Sequence, residues 1–269
     1  MIVCKSPVEI ERMRAANALV AAILTELAAL VRPGVSTLEL DAYAERRVRD
    51  AGAIPAFKGY RGYPATLCAS VNDEVVHGIP SARRVLREGD IVSLDMGVLY
   101  DGFYGDAALT VGVGRLAPAA ARLLEVTEEA LFRGIAEARP GARLSDIGHA
   151  IQRYVEAEGF SVVREFVGHG IGARLHEEPQ IPNYGEPGRG VRLVPGLVLA
   201  IEPMVNLGRP GVRILDDGWT AVTRDGSLSA HFEHTVAVTA DGPVILTVRP
   251  DGEVRWLAPR GDELRADAR

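Results

Sequence analysis

The 269-residue chain is poor in cysteine, in lysine and in long uninterrupted apolar stretches, and each shortage excludes something. Its two cysteines, Cys4 and Cys68, cannot build the disulfide framework of a small secreted domain, so a reducing compartment is expected. Lysine occurs only at positions 5 and 58; the remaining basic side chains are arginines, scattered rather than clustered, and the net charge is −6. That balance offers no basic stripe for nucleic acid. The most apolar stretch, residues 18–31, is interrupted by Glu26 and is shorter than a bilayer requires. The first residues lead directly into Ser6-Pro7-Val8-Glu9, with neither an apolar leader and cleavage site nor an Arg/Ser-rich transit segment. The expectation is a cytoplasmic protein with no membrane association and no direct nucleic-acid binding.

What is present reads as an α+β domain. Ser6-Pro7-Val8-Glu9 combines a cap, a first-turn proline and a capping-box acid, and apolar residues at helical spacing follow as far as Pro33-Gly34. A second helix is expected from Ser36 or Thr37 to Gly52. The same plan returns 107 residues later: Arg32-Pro33-Gly34 matches Arg139-Pro140-Gly141, and Arg46, Val48 and Gly52 match Arg153, Val155 and Gly159. Two related halves, each with a pair of helices, are therefore expected. Strands are expected over 90–99, 103–113, 162–167 and 197–202, then as a meander over 212–248, with Asp-Gly turns at 101, 217, 225 and 241. No linker or composition shift divides the chain, so residues 1–269 read as one domain, and the polar, Arg-rich residues 258–269 as a disordered tail.

Five side chains sit where a plain core would not put them: Asp95, Asp106, His169, Glu202 and Glu233. A single acid in a strand is more often edge-exposed or salt-bridged than functional. Four acids read as strand residues, with a histidine in the Gly-rich loop Gly168-His169-Gly170-Ile171-Gly172, point instead to compensation by divalent cations. The turn at Asp101-Gly102 sets Tyr100 opposite Phe103, Gly97 opposite Asp106 and Asp95 opposite Ala108. Asp95 and Asp106 then lie diagonally on one face; a bulge near Gly105 is the expected complication. His77 and His176 lie beside Gly and Pro, in loops where an imidazole can exchange protons with a substrate. Cys68 paired with His77 is a weaker alternative for nucleophilic chemistry, since it leaves the acids unexplained.

The ordered set Asp95, Asp106, His169, Glu202 and Glu233 resembles the metal ligands of the pita-bread metallopeptidases. Val76-His77-Gly78-Ile79-Pro80, His176-Glu177-Glu178-Pro179 and Ile201-Glu202-Pro203-Met204 resemble the methionine aminopeptidase versions, and the resemblance runs from about residue 6 to 249. It implies a curved, mainly antiparallel sheet covered by two helix pairs in pseudo-two-fold halves. It also implies two divalent cations (Co, Mn, Fe or Zn), with Asp95 chelating one, Asp106 and Glu233 bridging, and His169 and Glu202 on the other. Glu202 would relay a proton, His77 would contact the scissile nitrogen and His176 the carbonyl oxygen. Tyr60, Tyr63, Cys68 and Trp219 would form the methionine pocket, and the stretch around Asn72 and Ser229 resembles a monovalent-cation site. The implied substrates are N-termini of nascent polypeptides, met near the ribosome by a monomeric enzyme that prefers a small second residue.

Two positions depart from the pattern: Leu175, where Phe is common, and His231, where Gln is common, the latter expected to alter the surroundings of Glu233. Only 25 residues separate His176 from Glu202, which leaves no room for the type II insertion and favours type I. Two rival readings remain: an Xaa-Pro peptidase of the same fold, which usually carries a further N-terminal domain, and a non-catalytic binding relative, which would be expected to have lost ligands.

Overall fold

In the computed structural model, which describes residues 2–257, the first helix (α1) spans Pro7–Leu30. Ser6 accepts from the Glu9 amide while Glu9 reaches back to the Ser6 amide, a complete capping box. The helix is longer than its apolar stretch, and its length and composition alone would suffice for a membrane span. Here it is a core helix: Met13, Ala16, Val20, Ile23, Leu24 and Leu27 are buried. Glu26, which interrupts the stretch, faces the second helix and binds Arg47 at 2.7 Å.

That second helix (α2) spans Thr37–Asp50 with a capping box at Ser36, and Gly52 takes the left-handed conformation beyond its end. The second half supplies α3 (Pro118–Glu137) and α4 (Leu144–Ala157). The repeat is structural. The Gly34 amide donates to Leu86 O at 2.9 Å, and the Gly141 amide to Leu193 O at 2.8 Å, all displaced by the same offset. The isolated bridge Ser36–Val85 recurs as Arg143–Arg192. Val48 and Val155 are equally buried.

Every strand pair registered among the described residues is antiparallel. The longest is a hairpin of Ile91–Tyr100 with Phe103–Gly112, in register at Tyr100–Phe103, Gly97–Asp106 and Asp95–Ala108. That is the register set by the Asp101-Gly102 turn. No bulge interrupts it. Gly105 is needed for a different reason: a Cβ there would lie 2.8 Å from the backbone of Ala16 and Asn17, so α1 crosses the hairpin against bare main chain.

The meander expected over 212–248 is split. Val212–Ile214 pairs with Ala221–Thr223, which pairs on its other side with Glu74–Val76; Ser229–His231 pairs with Met204–Asn206, and His234–Thr239 pairs with Val198–Ile201. The stretch at 162–167 keeps only Ser161–Val162 as strand. Alternation marks these segments as extended but says nothing about which distant partner each one meets. Residues 258–269, read as a tail, lie outside the described residues. One apolar cluster joins all four helices to the strands of both halves.

Candidate metal centre

The hairpin carries Asp95 and Asp106 on one face, and both line a cavity of about 160 Å³ together with His169, Glu202 and Glu233. Only Asp95 and Asp106 of the four acids lie inside strands. Glu202 follows Val198–Ile201, and Glu233 sits between Ser229–His231 and His234–Thr239. Glu233 is docked on the hairpin by its own amide, which donates to Ala108 O at 2.9 Å, while the Thr235 hydroxyl donates to Asp106 O at 2.8 Å. His169, expected in a loop, belongs to the short strand Gly168–Gly170, paired on both sides. Its flanking glycines allow this, because a Cβ at either would run into a neighbouring backbone carbonyl at 2.3 Å.

Burial and mutual repulsion shape the acids. Asp95 is pushed up to about 7 by burial. Asp106, Glu202 and Glu233 are held well above the ordinary carboxylate range by burial first; the charge of Asp95 adds to this for all three, that of Glu202 for Asp106 and Glu233, and that of Asp106 for Glu233. The imidazoles move the other way: burial and neighbouring His176 lower His169 to about 3, and burial with Arg61 lowers His176 to about 4. His77 falls to about 4 through burial and His176. His231 falls to about 3 through burial and His77. These rings are neutral at pH 7, so the 3.6 Å approach of His169 Nε2 to Glu202 and its 3.9 Å approach to Asp106 are not ion pairs.

The donor set fits divalent cations. One ligand atom each from Asp106, His169 and Glu233 lie within 4.8 Å of one another. His169 Nδ1 is hydrogen-bonded to Gly170 O at 2.9 Å, which leaves Nε2 with its lone pair toward the carboxylates. Asp95 Oδ1, Asp106 Oδ1 and Glu233 Oε1 are buried without a hydrogen-bond partner. Buried carboxylate oxygens left bare around a basic imidazole nitrogen are what oxygen-rich cation ligation requires.

The remaining residues expected at the site line the same cavity: Tyr60, Tyr63, Cys68, His77, His176 and Trp219, with Leu175 as one wall. Phe57 and Arg61, which sequence reasoning did not single out, join them. Tyr60 does more than line the pocket. Its hydroxyl lies 2.9 Å from His176 Nδ1 and its ring stacks on the imidazole at 5.1 Å. His77 is held by edge contacts from Phe166 and Trp219, on a backbone at φ 61 that non-glycine residues rarely adopt. The loop of His176 is pinned by a buried pair from the N-terminal segment, Lys5 Nζ to Glu177 Oε2 at 2.6 Å, with the Arg174 amide donating to the same carboxylate. Nothing local announces these contacts. Lys5 and Glu177 are the only lysine and one of many acids near their respective motifs.

Cys68 pairs with Asp95 across strands, and burial together with that acid raises its thiol well above the ordinary range. A thiol held protonated is no nucleophile, which removes the cysteine alternative. At the stretch expected to hold a monovalent cation, Asn72 O accepts from the Ser229 amide at 2.9 Å, and the Asn72 side chain bonds Asp90 and the Ile91 amide.

The pattern "Metallopeptidase family M24" matches residues 11–240. A relative from Bacillus subtilis, "Methionine aminopeptidase 1", is 57% identical over 92% of this chain and 99% of its own length. The solved structure of methionine aminopeptidase from Thermotoga maritima superposes with a TM-score of 0.90 at 50% identity, over 92% of this chain and 99% of that one. Prolidase from Pyrococcus horikoshii shares the fold at a TM-score of 0.77 but only 23% identity, over 96% of this chain and 66% of its own. The chain therefore belongs to metallopeptidase family M24 and, within it, to the methionine aminopeptidases.

Proposed function

We propose that the chain removes N-terminal methionine from polypeptides by metal-dependent hydrolysis of the first peptide bond, with Asp95, Asp106, His169, Glu202 and Glu233 holding two divalent cations. The observation that carries this reading is the cluster of buried, unpartnered carboxylate oxygens facing the lone pair of His169 in the wall of one cavity. Cobalt, manganese, iron and zinc all suit such a donor set. Bound cations would supply an activated water and polarise the scissile carbonyl.

The chain's own residues do the rest. Glu202 receives the proton lost as the nucleophile forms and returns it to the leaving amine. Donation from the Tyr60 hydroxyl to His176 Nδ1 leaves the ring proton on Nε2, where it stabilises the developing negative charge on the carbonyl oxygen. His77, beside Trp219, meets the scissile nitrogen. Tyr63, Cys68, Trp219, Phe57 and Leu175 surround the methionine side chain with apolar surface. The substrates in this reading are nascent chains with a free amine and a small second residue, met in the cytoplasm by a monomeric enzyme.

The test compares Met-Ala-Ser, acetyl-Met-Ala-Ser, Met-Lys-Ser and an Xaa-Pro peptide, before and after chelation. Cleavage of the first alone, abolished by chelation and restored by Co, Mn or Fe, is expected. Turnover in demonstrably metal-free protein would refute the metal assignment, and comparable kcat/KM for Met-Ala and Met-Lys would refute the specificity.

A further inference from the structure

His231 is buried to 1% exposure, yet its Nε2 has no hydrogen-bond partner. It points at Glu202 rather than at Glu233, two residues on in sequence: Nε2 lies 3.7 Å from Glu202 Oε2. The other oxygen of Glu202 faces His169 Nε2 at 3.6 Å. Glu202 is thus bracketed by two imidazoles, one of them in the proposed ligand set and the other outside it.

The internal repeat gives this placement a second, independent support. In the first half Gly97 opposes Asp106, which makes Asp95 and Asp106 diagonal neighbours. In the second half Met204 opposes His231, so the ladder begins two residues beyond Glu202 with His231 at its edge. Positions 95 and 97 recur as 202 and 204 under the offset that relates the helices. His231 therefore opposes Met204 as Asp106 opposes Gly97, and in each half the acid two residues earlier lies near that partner. Where the first half sets two acids side by side, the second sets an acid beside a hydrogen-bond donor.

The backbone of His231 is clamped. Its amide donates to Thr110 Oγ1 at 2.9 Å, and the same hydroxyl donates to His231 O at 2.8 Å. With the single Thr110 proton so used, Ser93 donates to Thr110 Oγ1 at 2.8 Å. All three residues are buried. This network ties the ring to the hairpin that carries Asp95 and Asp106.

We propose that His231 is a positioning residue for Glu202: as a neutral imidazole it donates from Nε2 to Glu202 Oε2, which aims Oε1 at the centre. At 3.7 Å the contact is longer than a hydrogen bond, and less than 1 Å of carboxylate movement closes it. A carboxylate so held is oriented for a cation, as the place of Glu202 in the ligand set requires. The inference rests on the assignment of Glu202 to the metal centre.

The test uses the full chain with His231→Leu, His231→Gln and Thr110→Val, and reads Co(II) affinity of the apoprotein by calorimetry, kcat and KM on Met-Ala-Ser, and urea unfolding. His231→Leu should weaken Co(II) binding about 10–100-fold and lower kcat more than it changes KM. His231→Gln, whose amide can donate to the same oxygen, should restore most of both. Thr110→Val keeps the ring but frees its backbone, and should shift affinity in the same direction; it decides the matter if His231→Leu does not fold. Wild-type affinity in His231→Leu or Thr110→Val would overturn the proposal, as would His231→Gln binding no better than His231→Leu. Failure of the wild-type protein to bind Co(II) would instead refute the metal centre itself.

Discussion

Gly105→Ala tests the step from fold to site. A methyl group at this position would sit 2.8 Å from Ala16 C and Asn17 N and 2.9 Å from Ala16 O. Carbon atoms in contact prefer about 3.5–4.0 Å, so α1 and the hairpin must part by roughly 0.7–1.2 Å. Neither side yields cheaply, since the collision is with main chain in a helix whose inner face is buried. Overpacking of this kind costs about 1–3 kcal/mol, and contact between two backbones argues for the upper end. At roughly 2–4 °C per kcal/mol for a protein of this size, Tm should fall by about 6–12 °C. The effect should reach the site, because Asn17 Oδ1 accepts from the Asp106 amide at 3.3 Å while Asn17 Nδ2 is tied to Met13 O at 2.8 Å. Moving α1 therefore moves the backbone of Asp106. Differential scanning calorimetry of the chelated protein and Co(II) titration should show lower stability and weaker binding together. An unchanged Tm and unchanged affinity would show that α1 does not rest on the hairpin as described.

Two further outcomes are expected. His176→Ala should lower kcat about 10²–10⁴-fold with metal retained, since it removes a hydrogen bond to the developing oxyanion and no ligand; loss of the metal would reassign His176 as a ligand. In chelated protein, Asp95→Asn should remove a pH dependence. The carboxyl is raised from 3.8 to about 7, so its contribution to stability is present below about pH 4 and is lost as pH rises through 7. Urea unfolding at pH 5 and 8 should therefore show wild type losing ground to Asp95→Asn, with a ceiling of about 3 kcal/mol, since 1.36 kcal/mol per pH unit accrues only over the roughly two units between pH 5 and the folded value. The lowered imidazoles slope the other way below about pH 6.5 in both proteins and cancel. Parallel curves would refute the burial argument for Asp95.

Much of the architecture is local and was legible. The capping boxes at Ser6 and Ser36, the Asp-Gly turn at 101 and the period-two alternation around it act over a few residues, and they set the register of the hairpin without help from the rest of the chain. The repeat was legible because each half needs the same stops and caps to fold its own helix pair. The five acidic and imidazole residues stood out because a strand or an apolar flank tolerates them only with compensation.

The tertiary structure decided what depends on partners far away in sequence. The Gly105 position could mean a bulge or a close approach, and only α1 lying across it chose the second. His169 reads as a loop residue until strands on both sides pair with it. His231 stands two residues from Glu233 in sequence but turns to Glu202, Tyr60 reaches His176, and Lys5 reaches Glu177. The physical reason is one of range: caps, turns and alternation are written in dihedral preferences over a few residues. The aim of a buried side chain is set by which backbone happens to pack against it, and the chain must close before that neighbour exists.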